Sequence, residues 1–239
     1  MKLVFRPMDA TTDVILDKPK PATQLIPEWY KNAPVRMDNE KSDALSKDST
    51  ETSNLTMKGC SPFLDALGMG YTYELPFDIE FRYTAESGFS VRWATGLDLI
   101  SGHAPEQYPG LPEVVGGSGG VFKWKFTFRV ETPAGYSCLF THPLNRHDLP
   151  FRTFSGVVDT DVYPGAVEFP FQFLDVIKEE IFILEKGTPL CQIIPFKRDS
   201  WESEKSSYDE KEFTKAKYEI KSKIVRSYKN QFWHKKSFN

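Results

Sequence analysis

Two carboxylates, Asp159 and Asp161, stand two residues apart in "GVVDTDVYPG" (156–165), directly after a run of β-forming residues. A carboxylate at a strand end, beside a bound ligand, can hold a water molecule and take its proton as a general base. Gly156 and Gly165 bracket the segment, where backbone can come close to a ligand or to another chain. The competing reading is turn chemistry. Aspartate closes turns through its own side chain and Pro164-Gly165 is itself a turn signal, so for this segment taken by itself the turn reading is preferred.

The histidines offer a second chemistry. "THPLNRHD" holds His142, His147 and Asp148, and a metal site needs three or four N, O or S ligands converging on one point. A spacing of five between the two histidines fits neither one face of a strand nor the helical i, i+4 pair. Ordinary loop residues are the preferred reading, and a metal-dependent enzyme built on these three residues is kept as a third option. "GGSGG" (116–120) lacks the Lys-Ser or Lys-Thr that follows a phosphate loop, and no helical pattern comes after it. A hairpin connection is expected there. No serine occupies a GxSxG elbow, and no Cys/His pair carries a supporting local signature.

The elements that must position these residues are mostly strands. From Tyr71 to Ile194 the hydrophobic period is two, and the strands are separated by Pro, Gly, Asn and Asp clusters. The clearest is "VFKWKFTFRVE" (121–131), with Val121, Lys123, Lys125, Thr127 and Arg129 on one face and Phe122, Trp124, Phe126, Phe128 and Val130 on the other. Such an aromatic face must pack on another layer, so a mainly β barrel or sandwich is expected. Ahead of it, residues 1–70 read as an N-terminal embellishment. Residues 2–6 form a short strand, "IPEWYKNAP" gives one helical turn, a polar mobile loop spans 36–57, and "CSPFLDALGMG" makes a short helix stopped by Gly68 and Gly70. Residues 71–200 form the core.

Residues 201–239 change character again. Phe213, Ala216, Ile220, Ile224, Tyr228 and Phe232 recur at helical spacing, and between Lys215 and Lys236 eight Lys or Arg face one acidic residue, Glu219. The preferred reading is an amphipathic helix packed on the β-core with a basic outer face. A helix that meets nucleic acid or another polyanion is the less favoured alternative.

Bulk properties set the frame. A net charge of -3 gives the whole chain no pull towards nucleic acid, and 40% hydrophobic content over 239 residues supports a sizeable core. Three scattered cysteines point to a reducing, cytoplasmic setting. No signal peptide is visible and no run approaches a membrane span, so no membrane partner is expected.

"GVVDTDVYPG", followed by "IFILEKGTPLCQIIPFKR" (181–198), resembles the third and fourth motifs of the dUTPase and dCTP deaminase superfamily, the β-clip fold. On that resemblance Asp159 takes the place of the water-activating carboxylate. Tyr163 falls one residue late for the aromatic that packs on sugar and base, and Gln192 matches the motif's glutamine near the phosphates. Arg146 in "LNRHD" is the residue nearest to the upstream phosphate-binding Arg-Ser pair, and no Ser follows it. The Gly-rich closing arm of the family is replaced by the basic helix. The chain is also similar, across "IPEWY", "TMKGCSPFLDAL", "TPAGYS", "THPLNR", "GVVDTD" and "KGTPLCQIIPFKRDSW", to a family of phage and bacterial proteins with no established activity.

The resemblance implies a homo-oligomer, with a trimer as one form, and a host-cytoplasm or virion location if the gene is phage-borne. With the upstream phosphate ligands missing, the leading expectation is a non-catalytic ligand-binding or assembly protein on a degenerate dUTPase-like fold. The alternative is a nucleotide-processing enzyme, a triphosphate hydrolase or deaminase-like protein. In it Asp159 is the base, Asp161 and Tyr163 line the ligand, and Arg146, Gln192, Lys197 and Arg198 meet phosphates. No cofactor is expected, save magnesium if a nucleotide is bound. Either way the "GVVDTD" and Gln192 segments are expected as neighbouring strands of one closed β-structure.

Overall fold

The computed structural model describes residues 1–36, 56–84, 88–94, 96–112, 117–174, 181–221, 229 and 232–239. The polar loop expected over 36–57 lies, save for its ends, outside them, as do Gly116 of "GGSGG" and Ile224 and Tyr228 of the tail pattern.

The fold is mainly β, in three antiparallel sheets. The first runs β1 (Val4–Pro7), β7 (Gly117–Glu131), β11 (Ala166–Leu174), β9 (Phe151–Thr153), with β6 (Ile100–Gly102) also paired to β7. The second runs β10 (Gly156–Val158), β8 (Tyr136–Thr141), β13 (Pro189–Lys197), β3 (Tyr71–Glu74), β2 (Lys20–Pro21). The third runs β12 (Ile181–Leu184), β4 (Ile79–Thr84), β5 (Gly88–Trp93). Among the described residues none of the three sheets closes on itself, so the structure is not a closed barrel.

One aromatic core joins all three sheets, as the period-two pattern requires. Trp124, Phe126, Phe128 and Val130 of β7 are buried, and the Trp124 indole stacks on Phe171 of β11 at 3.8 Å and 4°. Phe140, Cys138, Cys191 and Ile193 come from the second sheet, and Ile79, Phe81 and Leu184 from the third. The opposite face of β7 carries ion pairs, Lys123 to Glu168 at 2.7 Å and Lys125 to Asp98 at 2.5 Å. At its N-terminal end the expected faces do not hold, because Val121 is buried. A register shift between Phe171 and Phe173 of β11 lies opposite this stretch, and such irregularities re-aim neighbouring side chains.

Short helices decorate the N-terminal part: α1 (Ala10–Ile15), α2 (Glu28–Asn32) and α3 (Ser61–Leu67). Helix α3 stops at Gly68, and Gly70 follows at φ 71°, where an added Cβ would sit 2.1 Å from the Ile193 carbonyl oxygen. That approach lets the chain turn from α3 straight into β3 against β13.

The tail helix α4 (Glu210–Lys221) is present, but residues 210–219 are exposed throughout. Within the described turns Phe213, Ala216 and Tyr218 are the apolar residues, and the Phe213 ring is met by Tyr208 just before the helix, 5.9 Å away. Among the described residues no helix is long and apolar enough to cross a membrane.

Candidate functional site

Strand β10 ends at Val158, and the chain turns at once. The N–H groups of Val162 and Tyr163 both donate to the Asp159 carbonyl, at 3.1 and 2.9 Å. Thr160, at the turn's centre, is 1% exposed, and its hydroxyl lies 2.8 Å from that of Thr132. The turn is thereby pinned to the end of β7, and its two aspartates project on either side of a buried threonine.

Asp161 has a 6% exposed side chain that meets the Arg198 guanidinium at both oxygens, 2.8 and 2.5 Å, and accepts the Gly135 N–H at 2.9 Å. The Arg198 hydrogen bonds, then that N–H, hold its carboxyl down at about 2. Arg198 also donates to the Tyr136 carbonyl at 3.1 Å and the Ser137 hydroxyl at 3.0 Å. Asp161 and Arg198 thus form a strap across the ends of β8, β10 and β13.

Asp159 is arranged differently. Its Oδ1 accepts from the Ser137 hydroxyl at 2.7 Å and lies 3.2 Å from Arg198, while Oδ2 meets no partner among the described residues. The side chain is 59% exposed. Beside it runs an apolar strip. Alternation along β8 places Ser137, Leu139 and Thr141 on the face away from the core, and Leu139 pairs with Val157 on one side and Ile194 on the other. Val157 and Phe196 are 61% and 38% exposed. Tyr163 turns onto its own loop: its ring lies over Gly165 and its hydroxyl is 3.4 Å from the Ala166 carbonyl.

The remaining candidates lie elsewhere. Gln192 is 1% exposed, and backbone occupies its whole amide: Leu144 N–H donates to Oε1 at 2.8 Å, and Nε2 donates to the carbonyls of Ala66 at 3.0 Å and Met69 at 2.5 Å. It pairs with Thr141, which lies four residues, about 13 Å, along β8 from Ser137, the partner of Asp159. Arg146, in the loop tied to Gln192 through Leu144, is bound by two nitrogens to Asp148, at 2.9 Å each. Lys197 reaches both oxygens of Asp199, at 2.9 and 3.2 Å. Asp159, Asp161 and Arg198 therefore come together. Arg146 and Gln192 do not join them, and the "GVVDTD" and Gln192 strands lie in one open sheet with β8 between them rather than side by side.

The two histidines of the metal alternative both face Arg152, which lies 2.7 Å from His142 Nε2 and 3.1 Å from His147 Nδ1. Thr153 N–H takes His142 Nδ1 at 3.3 Å, and Asp148 is turned to Arg146. Burial, helped by the Arg152 charge, pushes His142 down to about 4. Among the described residues no group of three His, Cys, Asp or Glu side chains gathers to hold a metal.

Two participants were missed from the sequence. Ser137 had a weak signal, the alternation of "YSCLFT", which places it outward with Leu139; its meeting with Asp159 depends on the β8–β10 register, which no local pattern encodes. Arg152 gave no signal.

No protein-family model and no curated protein matches the chain. Among solved structures it is similar to the native EIAV dUTPase, with 13% identity over 59% of this chain and 83% of that one at a TM-score of 0.31. A mutant dUTPase of S. aureus phage phi11 gives 11% identity, 87% and 98% coverage and a TM-score of 0.35. A mutant dUTPase of Staphylococcus bacteriophage 80alpha with dUpNHpp gives 12%, 87%, 90% and 0.34.

Proposed function

We propose that this protein is a non-catalytic binding and assembly module, which associates with copies of itself through the outer face of the β10-β8-β13 sheet. One observation carries the reading. Every cation proposed to meet phosphate is already closed on a carboxylate of its own: Arg146 on Asp148, Arg198 on Asp161, Lys197 on Asp199. A triphosphate needs several charge-assisted donors, and here each of the three cations has a neighbouring carboxylate that competes for it. The Val157–Leu139–Ile194 row with Phe196, by contrast, exposes apolar surface of the kind an interface covers.

Light scattering on the purified chain at micromolar concentration should give an oligomer, and Val157→Glu combined with Phe196→Glu should give a folded monomer. A monomeric wild type would defeat the reading. The second reading, a nucleotide-processing enzyme, draws on the free oxygen of Asp159 beside Ser137 and Arg198. It requires turnover of a deoxynucleoside triphosphate that Asp159→Asn abolishes while binding survives.

A further inference from the structure

Residues 210–219 of the basic tail are exposed, and the tail's charge is sharply segregated. The segment from Lys215 to Lys236 holds eight of the chain's 30 Lys and Arg but one of its 33 Asp and Glu, leaving 22 basic against 32 acidic side chains in the remainder. An acidic body carries a cationic arm. The net charge favours the arm over the body as the place where a polyanion is attracted.

The end of that arm returns to the body at one place. Trp233 donates its indole N–H to Asp65 Oδ2 on α3 at 2.8 Å, and the Lys236 ammonium reaches the same oxygen at 2.7 Å. The ammonium groups of Lys236 and Lys229 lie 5.5 and 5.9 Å from the Trp233 ring centroid. Beyond them Phe238 meets the Tyr71 ring edge-on at 6.1 Å, and the Tyr71 hydroxyl donates to the Asn239 carbonyl at 3.2 Å. Asp65 is held in place because Gln192 bonds the next residue's carbonyl, Ala66. Asp65 on α3 is thus a carboxylate of the body that pairs with the end of the arm, and residues 199–219 leading towards it are exposed.

We propose that residues 232–239, with Lys229, form a single-stranded nucleic-acid-binding arm, latched shut by Asp65. Phe232, Trp233 and Phe238 alternate with Lys229, Lys235 and Lys236, so rings that stack on unpaired bases stand next to ammonium groups that meet phosphates. In the latched state Asp65 neutralises Lys236 and holds the edge of Trp233. A nucleic-acid strand competes for both groups, and the apparent affinity is reduced by the fraction of molecules in which the arm is open.

The test is fluorescence anisotropy of the full chain with a labelled oligothymidylate of roughly 20 nucleotides. Asp65→Asn should tighten binding by at least about threefold, because it raises the open fraction. Tyr71→Leu, which removes the second hold, should act in the same direction, and a merely damaged fold would not tighten binding. Lys235→Glu with Lys236→Glu should abolish binding in either background, and affinity should fall steeply with salt. Unchanged affinity in both Asp65→Asn and Tyr71→Leu, absence of binding in all forms, or equal affinity for duplex DNA or heparin would each overturn the proposal. The last result would assign the arm to polyanions at large.

Discussion

Asp159 and Asp161 are two residues apart and belong to different chemistries. Asp161 is sealed between Arg198 and the Gly135 N–H, whereas Asp159 keeps one oxygen open to solvent. The sequence made both visible, because carboxylates after a strand stand out. It could not divide their roles, since Ser137 lies 22 residues from Asp159 and Arg198 lies 37 from Asp161. His142 provides a test at this scale. Its pKa is pushed to about 4 in the folded chain, so between roughly pH 6.5 and 4 the unfolded chain takes up a proton that the folded one refuses. This contribution to stability is full above pH 6.5 and is lost as the pH falls towards 4. The loss should amount to roughly 2–3 kcal/mol. Melting curves across that window should fall steadily, and His142→Gln should flatten them. Identical slopes for the two proteins would show that the imidazole is not held neutral against Arg152.

Among the elements, β7 was the most legible and α4 the least. Eleven residues of period-two pattern, 121–131, mark most of β7 as a strand and identify its core face, while Gly117–Gly120, expected as a hairpin connection, extend it. The exception at Val121 lies opposite a register irregularity in β11, a partner 49 residues away in sequence where Phe171 pairs with Phe122. For α4 the spacing of apolar residues predicted a helix correctly but could not say what covers it. Amphipathicity specifies a face, not a partner. Two substitutions test how the elements join. Trp124→Ala removes the indole stacked on Phe171 at the junction of the sheets and should cost about 3–5 kcal/mol in denaturant unfolding. Gly70→Ala forces a Cβ onto the Ile193 carbonyl and into a left-handed backbone, and should cost more than about 2 kcal/mol. A Gly70→Ala protein as stable as wild type would mean that the α3–β3 turn is not seated against β13.

For the molecule as a whole, the mainly β class was readable because short alternating runs and turn residues recur through residues 71–194. The division into three open sheets was not. It depends on pairings such as β1 with β7, in which Val4 lies opposite Glu131, and on β8 entering between β10 and β13. That strand order separates the Asp159 end of the sheet from the Gln192 end, and it leaves an apolar face beside a carboxylate rather than a ring of phosphate donors. The central claim is that this face associates with other copies of the chain and takes up no nucleotide. Its most direct test is differential scanning calorimetry of the full chain with dUTP or dCTP and magnesium, each at millimolar concentration. An unchanged melting temperature is predicted with both. A saturable rise, equivalent to about 2.7 kcal/mol at a hundredfold excess over the dissociation constant, would contradict it.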